Sequence, residues 1–157
     1  MRNCLKIGMA FLLNGILLVG MSGCEKKGDC CAIVDVDVQI YYKNESGDNL
    51  INSVYEYQES NIKIYYKNGD AFEYVYNANL DYPNMHHVDT NGNGNLLLTV
   101  YPSNYYEGNQ STTLIELNSN VRDTLVCEFE LGSNREICKR AWLNGVEMSN
   151  RYIEIEK

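Results

Sequence analysis

From Ala32 onward, apolar and polar positions alternate. Val34, Val36, Val38 and Ile40 take every second place, with Asp35, Asp37 and Gln39 between them. Period two with β-branched residues is the pattern of a strand with one buried face. The same pattern returns in NIKIYYK, where Ile62, Ile64 and Tyr66 alternate, and in DAFEYVYN, where Phe72, Tyr74 and Tyr76 do. Asn68-Gly69 lies between these two runs, and Asn144-Gly145 lies inside AWLNGVEM. Asn-Gly between alternating runs predicts a β-hairpin, because a type I′ turn needs positive φ at both central residues. The runs NLLLTVYP, TTLIELN and DTLVCEFEL also read as strands, separated by polar stretches rich in Asn, Ser and Gly. No segment after Cys24 repeats its apolar residues at three and four over a helix-length window. Pro83 and Pro102 fall at strand ends or loops, where a missing amide donor does no harm. About eight strands with frequent turns predict an all-β, antiparallel sandwich of immunoglobulin-like or transthyretin-like kind over residues 32–157. A lipocalin-like barrel is the alternative, disfavoured by a long loop expected over residues 80–95.

The other end of the chain has a different pattern. Arg2 and Lys6 precede an apolar stretch over residues 7–19, interrupted by Asn14 and glycines. A transmembrane helix needs about 20 apolar residues, so this run is too short to span comfortably; basic, then apolar, then small residues is the layout of a secretory signal. Met21-Ser22-Gly23-Cys24 resembles the lipobox of bacterial lipoproteins, with Met where that family usually has Leu. The resemblance implies that residues 1–23 are removed, that Cys24 carries a diacylglyceryl group and an N-terminal acyl chain, and that residues 24–31 form a lipidated tether. At about 0.8 kcal/mol per buried methylene, two or three such chains hold a protein to a membrane effectively permanently.

Charge narrows the partners. The full chain has a net charge of −8, and removal of residues 1–23 takes two basic residues and no acid, leaving −10. Such a protein repels nucleic acid. Catalytic motifs are missing too: the sequence holds no G-x-S-x-G elbow, no P-loop and no zinc-protease helix. Glu116 and Glu128 alternate with apolar neighbours as solvent-facing strand residues would. DVDVQI, NIKIYYKNGD, YNANLDYP and the ending TLVCEFE…REICKRAWLNG, together with the lipobox and the CC pair, are similar to small lipoproteins of gut-dwelling Gram-negative anaerobes. That resemblance implies an outer-membrane anchor and a single β-domain, and brings no activity with it. The expected role is therefore a non-enzymatic, lipid-anchored binding or structural module with a protein or glycan partner and no cofactor. Two alternatives are an accessory component of a surface carbohydrate-capture or pilus assembly, and a periplasmic inhibitor of an enzyme or toxin.

Several residues invite specific chemistry. Cys30, Cys31, Cys127 and Cys138 remain beside Cys24, and export permits disulfides. A two-residue turn at Gly132-Ser133 would set Cys127 opposite Cys138 for a disulfide; a three-residue loop would pair Phe129 with Ile137 and separate the sulfurs. Bridges from Cys30 or Cys31, and unpaired thiols, stay open. Asp89, Asn91 and Asn93, followed by Gly94, match the first half of a calcium loop, but Val100 stands where the bidentate acid belongs, so any site would be weak. His86 and His87 are adjacent and expected in a loop. Trp142 is expected to share a face with Cys138 and Arg140. Thirteen tyrosines, including Tyr41-Tyr42, Tyr65-Tyr66 and Tyr105-Tyr106, are many for 157 residues. In a strand, each pair sends one ring inward and one outward, so the outer rings could form a binding face for sugar or protein.

Overall fold

The computed structural model describes residues 32–52 and 57–157. Their elements are β1 (Ile33–Asp35), β2 (Val38–Lys43), a 3-10 turn (Glu59–Asn61), β3 (Lys63–Asn68), β4 (Ala71–Tyr74), β5 (His86–Thr90) and β6 (Leu96–Val100). Then follow β7 (Gln110–Asn118), β8 (Val121–Gly132), β9 (Arg135–Leu143), β10 (Val146–Glu147) and β11 (Tyr152–Glu156). The fold is all-β, as the alternation predicts. A seven-stranded sheet runs β1-β9-β8-β7-β3-β4, with β10 paired to β9, and a four-stranded sheet runs β11-β2-β6-β5. Both sheets are open, so the arrangement is a sandwich and not a barrel.

The strand count is higher than expected and the sheets are mixed. The run from Val34 to Ile40 does not form one strand: it divides at Val36-Asp37 and changes sheets. β1 pairs parallel with β9, whereas β2 pairs antiparallel with β6 and parallel with β11. Period two could not reveal the division, because both halves keep the same alternation. Burial does reveal it, since Val34 is 63% exposed while Val38 and Ile40 are fully buried. Arg151 sits at the crossing point, 2.6 Å from Asp35 and 3.8 Å from Asp37. The two parallel pairs arise because the first and last strands of the domain lie alongside distant partners, a contact that local turn chemistry does not encode.

The core of the large sheet is the meander β7-β8-β9. Asn118 closes the first turn by accepting from the amides of Asn120 and Val121, both at 2.9 Å. Leu125, Cys127 and Phe129 of β8 alternate inward and meet Val38, Ile40 and Tyr42 of β2 and Leu98 and Val100 of β6. The Asn144-Gly145 hairpin forms as expected, with φ of +51° and +83° and Leu143 opposite Val146. The other hairpin also forms, but Asn68 pairs with Ala71, so its turn residues are Gly69 and Asp70.

One polar group ties the two sheets. Asp123 of β8 is 1% exposed, yet its carboxylate accepts from the Tyr42 hydroxyl of the facing sheet at 2.9 Å. Asn144 Nδ2 donates to it at 2.7 Å and Lys157 Nζ at 2.5 Å. Both carboxylate oxygens are hydrogen-bonded, as a buried carboxylate requires. Burial and the adjacent Asp123 carboxylate push the Tyr42 phenol well above its ordinary pKa.

Candidate functional site

The segment between β4 and β5 helps to wall an open concavity. Asn77 accepts from the amides of Asn79 and Leu80, and its own amide donates to the Pro83 carbonyl at 2.8 Å. Met85 then takes φ +59°, accepts from the Tyr101 amide and enters β5. This path carries Leu80, Asp81 and Tyr82 over the ends of both sheets. Together with Val34 and Val36, Tyr66 of β3, Tyr101-Pro102 after β6, and Glu136 of β9, they line an open, mainly apolar cleft of about 490 Å³. That size suits a small ligand or one anchored side chain. A second hollow of about 340 Å³ shares Tyr66, Met85 and Asn104 with it and adds Tyr74, Tyr76 and Tyr105.

Rings form the walls of the cleft. Tyr82 stacks on His87 with centroids 3.8 Å apart and 14° between planes, and Tyr101 lies beside both, 5.6 Å from Tyr82. The Tyr66 hydroxyl donates to the Tyr101 carbonyl at 2.9 Å, holding β3 against the segment after β6. Tyr82 remains 41% exposed, Tyr105 44%, Tyr74 51% and Tyr76 61%. Four of the thirteen tyrosines thus expose their rings around two adjoining hollows. The pair rule holds only in part. Tyr42 points inward, but outward-facing Tyr41 is also buried, its hydroxyl donating to the Gly47 carbonyl at 2.9 Å.

The cleft is acidic. Asp81 and Glu136 line it, and Glu136 accepts a short hydrogen bond from the Tyr106 hydroxyl. Burial pushes the Tyr101 phenol above its ordinary pKa, and Tyr82 with the carboxylates of Asp37, Asp89 and Asp81 adds to that. Among the described residues, no lysine or arginine lines the cleft.

The other sequence candidates come out differently. Cys24, Cys30 and Cys31 lie outside the described residues. Cys127 and Cys138 are buried free thiols, and neither expected register occurs. Gly132 pairs with Arg135, so the turn is Ser133-Asn134, and a bulge at Glu128/Phe129 sets Cys127 opposite Ala141 and Cys138 opposite Phe129. Both thiols still face the core, and the Cys138 thiol donates to the Arg140 carbonyl at 3.5 Å. The neighbouring Cys138 thiol and burial push the Cys127 thiol up. The bulge also moves Trp142 off the face of Cys138: Trp142 lies outward beneath the Arg140 guanidinium, 5.2 Å from its ring, while Cys138, Ala141 and Leu143 are buried.

The expected loop over residues 80–95 contains β5, so His86 and His87 start a strand. They do point to opposite sides. His86 is buried, with Nδ1 3.1 Å from the Asn84 carbonyl and Nε2 3.3 Å from that of Glu59. Asp89 of the calcium-loop pattern is held by His87 Nε2 at 2.6 Å and by the Thr99 hydroxyl at 3.3 Å. Asn91 Oδ1 accepts from the amides of Asn93 and Asn95, closing the β5–β6 turn. These oxygens organise a hairpin and do not converge. Glu116 faces outward yet is only 6% exposed, because Arg122 at 2.5 Å and Lys63 at 3.5 Å cover it. The Arg122 hydrogen bond holds its carboxyl below the usual range.

No known protein family, curated protein or solved structure matches this chain.

Proposed function

We propose that the protein is a non-enzymatic binding module of the bacterial cell envelope, attached to the outer membrane through lipid on Cys24 and using the tyrosine-lined cleft as its binding surface. The observation that carries the reading is the cleft itself, where the exposed ring of Tyr82 meets Tyr66 of the large sheet and Tyr101 at the end of the small one, in a chain whose N-terminal sequence resembles a lipobox. Surface rings that are rigid, amphipathic and concentrated in one hollow are the residues that supply binding energy at low entropic cost. A lipid anchor would keep that surface at high local concentration near envelope partners.

The test has two arms. Metabolic labelling with an alkynyl fatty acid should mark the wild-type protein and not Cys24→Ser, which should also leave the membrane fraction; retained label removes the anchor. A photo-crosslinking amino acid placed at Tyr82, 41% exposed in the cleft, should capture envelope material in living cells, whereas the same probe at Val146, 59% exposed on β10, should not. Equal capture at both positions, or none at Tyr82, removes the cleft.

A further inference from the structure

Every lysine and arginine among the described residues already stands in an ion pair with a carboxylate of the same chain. The charge left over is therefore all negative, and two of those uncompensated carboxylates, Asp81 and Glu136, line the tyrosine cleft. The aromatic walls point the same way. A phenol ring presents a negative face, so Tyr82 and Tyr101 favour a cation laid against them, and nearby carboxylates reinforce the attraction.

We propose that the cleft receives an arginine side chain presented by a partner polypeptide. The inference rests on the binding-module reading and adds the chemistry of the ligand. Arginine fits better than lysine because its planar guanidinium can stack on a tyrosine while its N–H groups reach a carboxylate in the same plane. The aliphatic stem would lie along Val34 and Leu80, 63% and 46% exposed, and along the half-buried Val36. The cleft's volume of about 490 Å³ accommodates that side chain with its flanking backbone.

The experiment uses the full-length lipidated protein in detergent micelles. It is titrated calorimetrically with acetyl-Gly-Arg-Gly-amide and with the same peptide carrying lysine, citrulline or glutamate. Citrulline keeps the shape of arginine and removes its charge, so it should bind roughly tenfold more weakly, with lysine in between and glutamate absent. Asp81→Asn and Tyr82→Ala should each weaken the arginine peptide by roughly fivefold, and Val146→Ala should change nothing. Citrulline binding as tightly as arginine, no response to Asp81→Asn, or no arginine binding at all would overturn the proposal. Cellohexaose is the neutral probe: if it binds in a Tyr82-dependent way and the arginine peptide does not, the cleft is a binding site for another ligand and the module reading survives. A dimer in the micelle that Tyr82→Ala dissociates would assign the cleft to a second copy and likewise overturn the proposal.

Discussion

Replacing Asp123 with alanine should be among the costliest single polar changes in this domain. The carboxylate is 1% exposed and joins Tyr42 of one sheet to Asn144 of the other, with Lys157 as its cationic partner. Its removal strands the Tyr42 hydroxyl in a fully buried position, a penalty of about 1 to 3 kcal/mol. Loss of the charged bond to Lys157 adds to this, though Lys157 keeps partial access to water and can rehydrate. The sum is about 3 to 5 kcal/mol, the usual cost of breaking a buried pair from one side. Tyr42→Phe should cost less, about 1 to 2 kcal/mol, because Asp123 keeps two donors. The double variant should then be milder than the sum by about 1 to 2 kcal/mol, since the orphaned hydroxyl disappears. Urea melts followed by Trp142 fluorescence measure all three. With a slope of roughly 1 to 3 kcal/mol per molar urea, Asp123→Ala should lower the midpoint by about 2 M. A loss below about 1 kcal/mol, or a cycle that adds without coupling, would refute the cross-sheet clasp.

Two other outcomes follow from burial and charge. Leu143→Ala, at a fully buried core position, should cost about 2 to 5 kcal/mol, while Trp142→Ala next to it should cost only about 1 to 2 because its ring lies outward under Arg140; denaturant melts that reverse this order would place Trp142 in the core. Glu116 has a lowered folded pKa, so its contribution is present above the ordinary 4.5 and is lost as pH falls through the lowered value; Glu116→Gln should therefore lose less stability than the parent between about pH 6 and pH 3, and parallel losses in the two proteins would contradict the pairing with Arg122.

The sequence by itself determined whatever depends on neighbours along the chain. Alternation in Ile62-Ile64-Tyr66 and in Leu125-Cys127-Phe129 gave strands with an inward face, and all six of these residues are buried. The Asn144-Gly145 turn was legible because its positive φ values belong to those two residues alone. The tyrosine excess was legible as composition, but not as a place. The cleft draws on Val34, Tyr66, Tyr82, Tyr101 and Glu136, which share no local pattern and meet only because two sheets and a connecting segment end together. No signal in one sequence could have paired Asp81 with Glu136. The tertiary structure likewise decided the bulge at Glu128/Phe129: an alternating pattern has period two, so one extra residue exchanges every face beyond it, and this is what turned Trp142 outward and brought Cys138 onto the face of Ala141. The change of sheet at Val36-Asp37 was decided in the same way, by which partner strands lay on either side, since an alternating run fits the edge of β9 and the flank of β6 equally well until the whole sandwich is assembled.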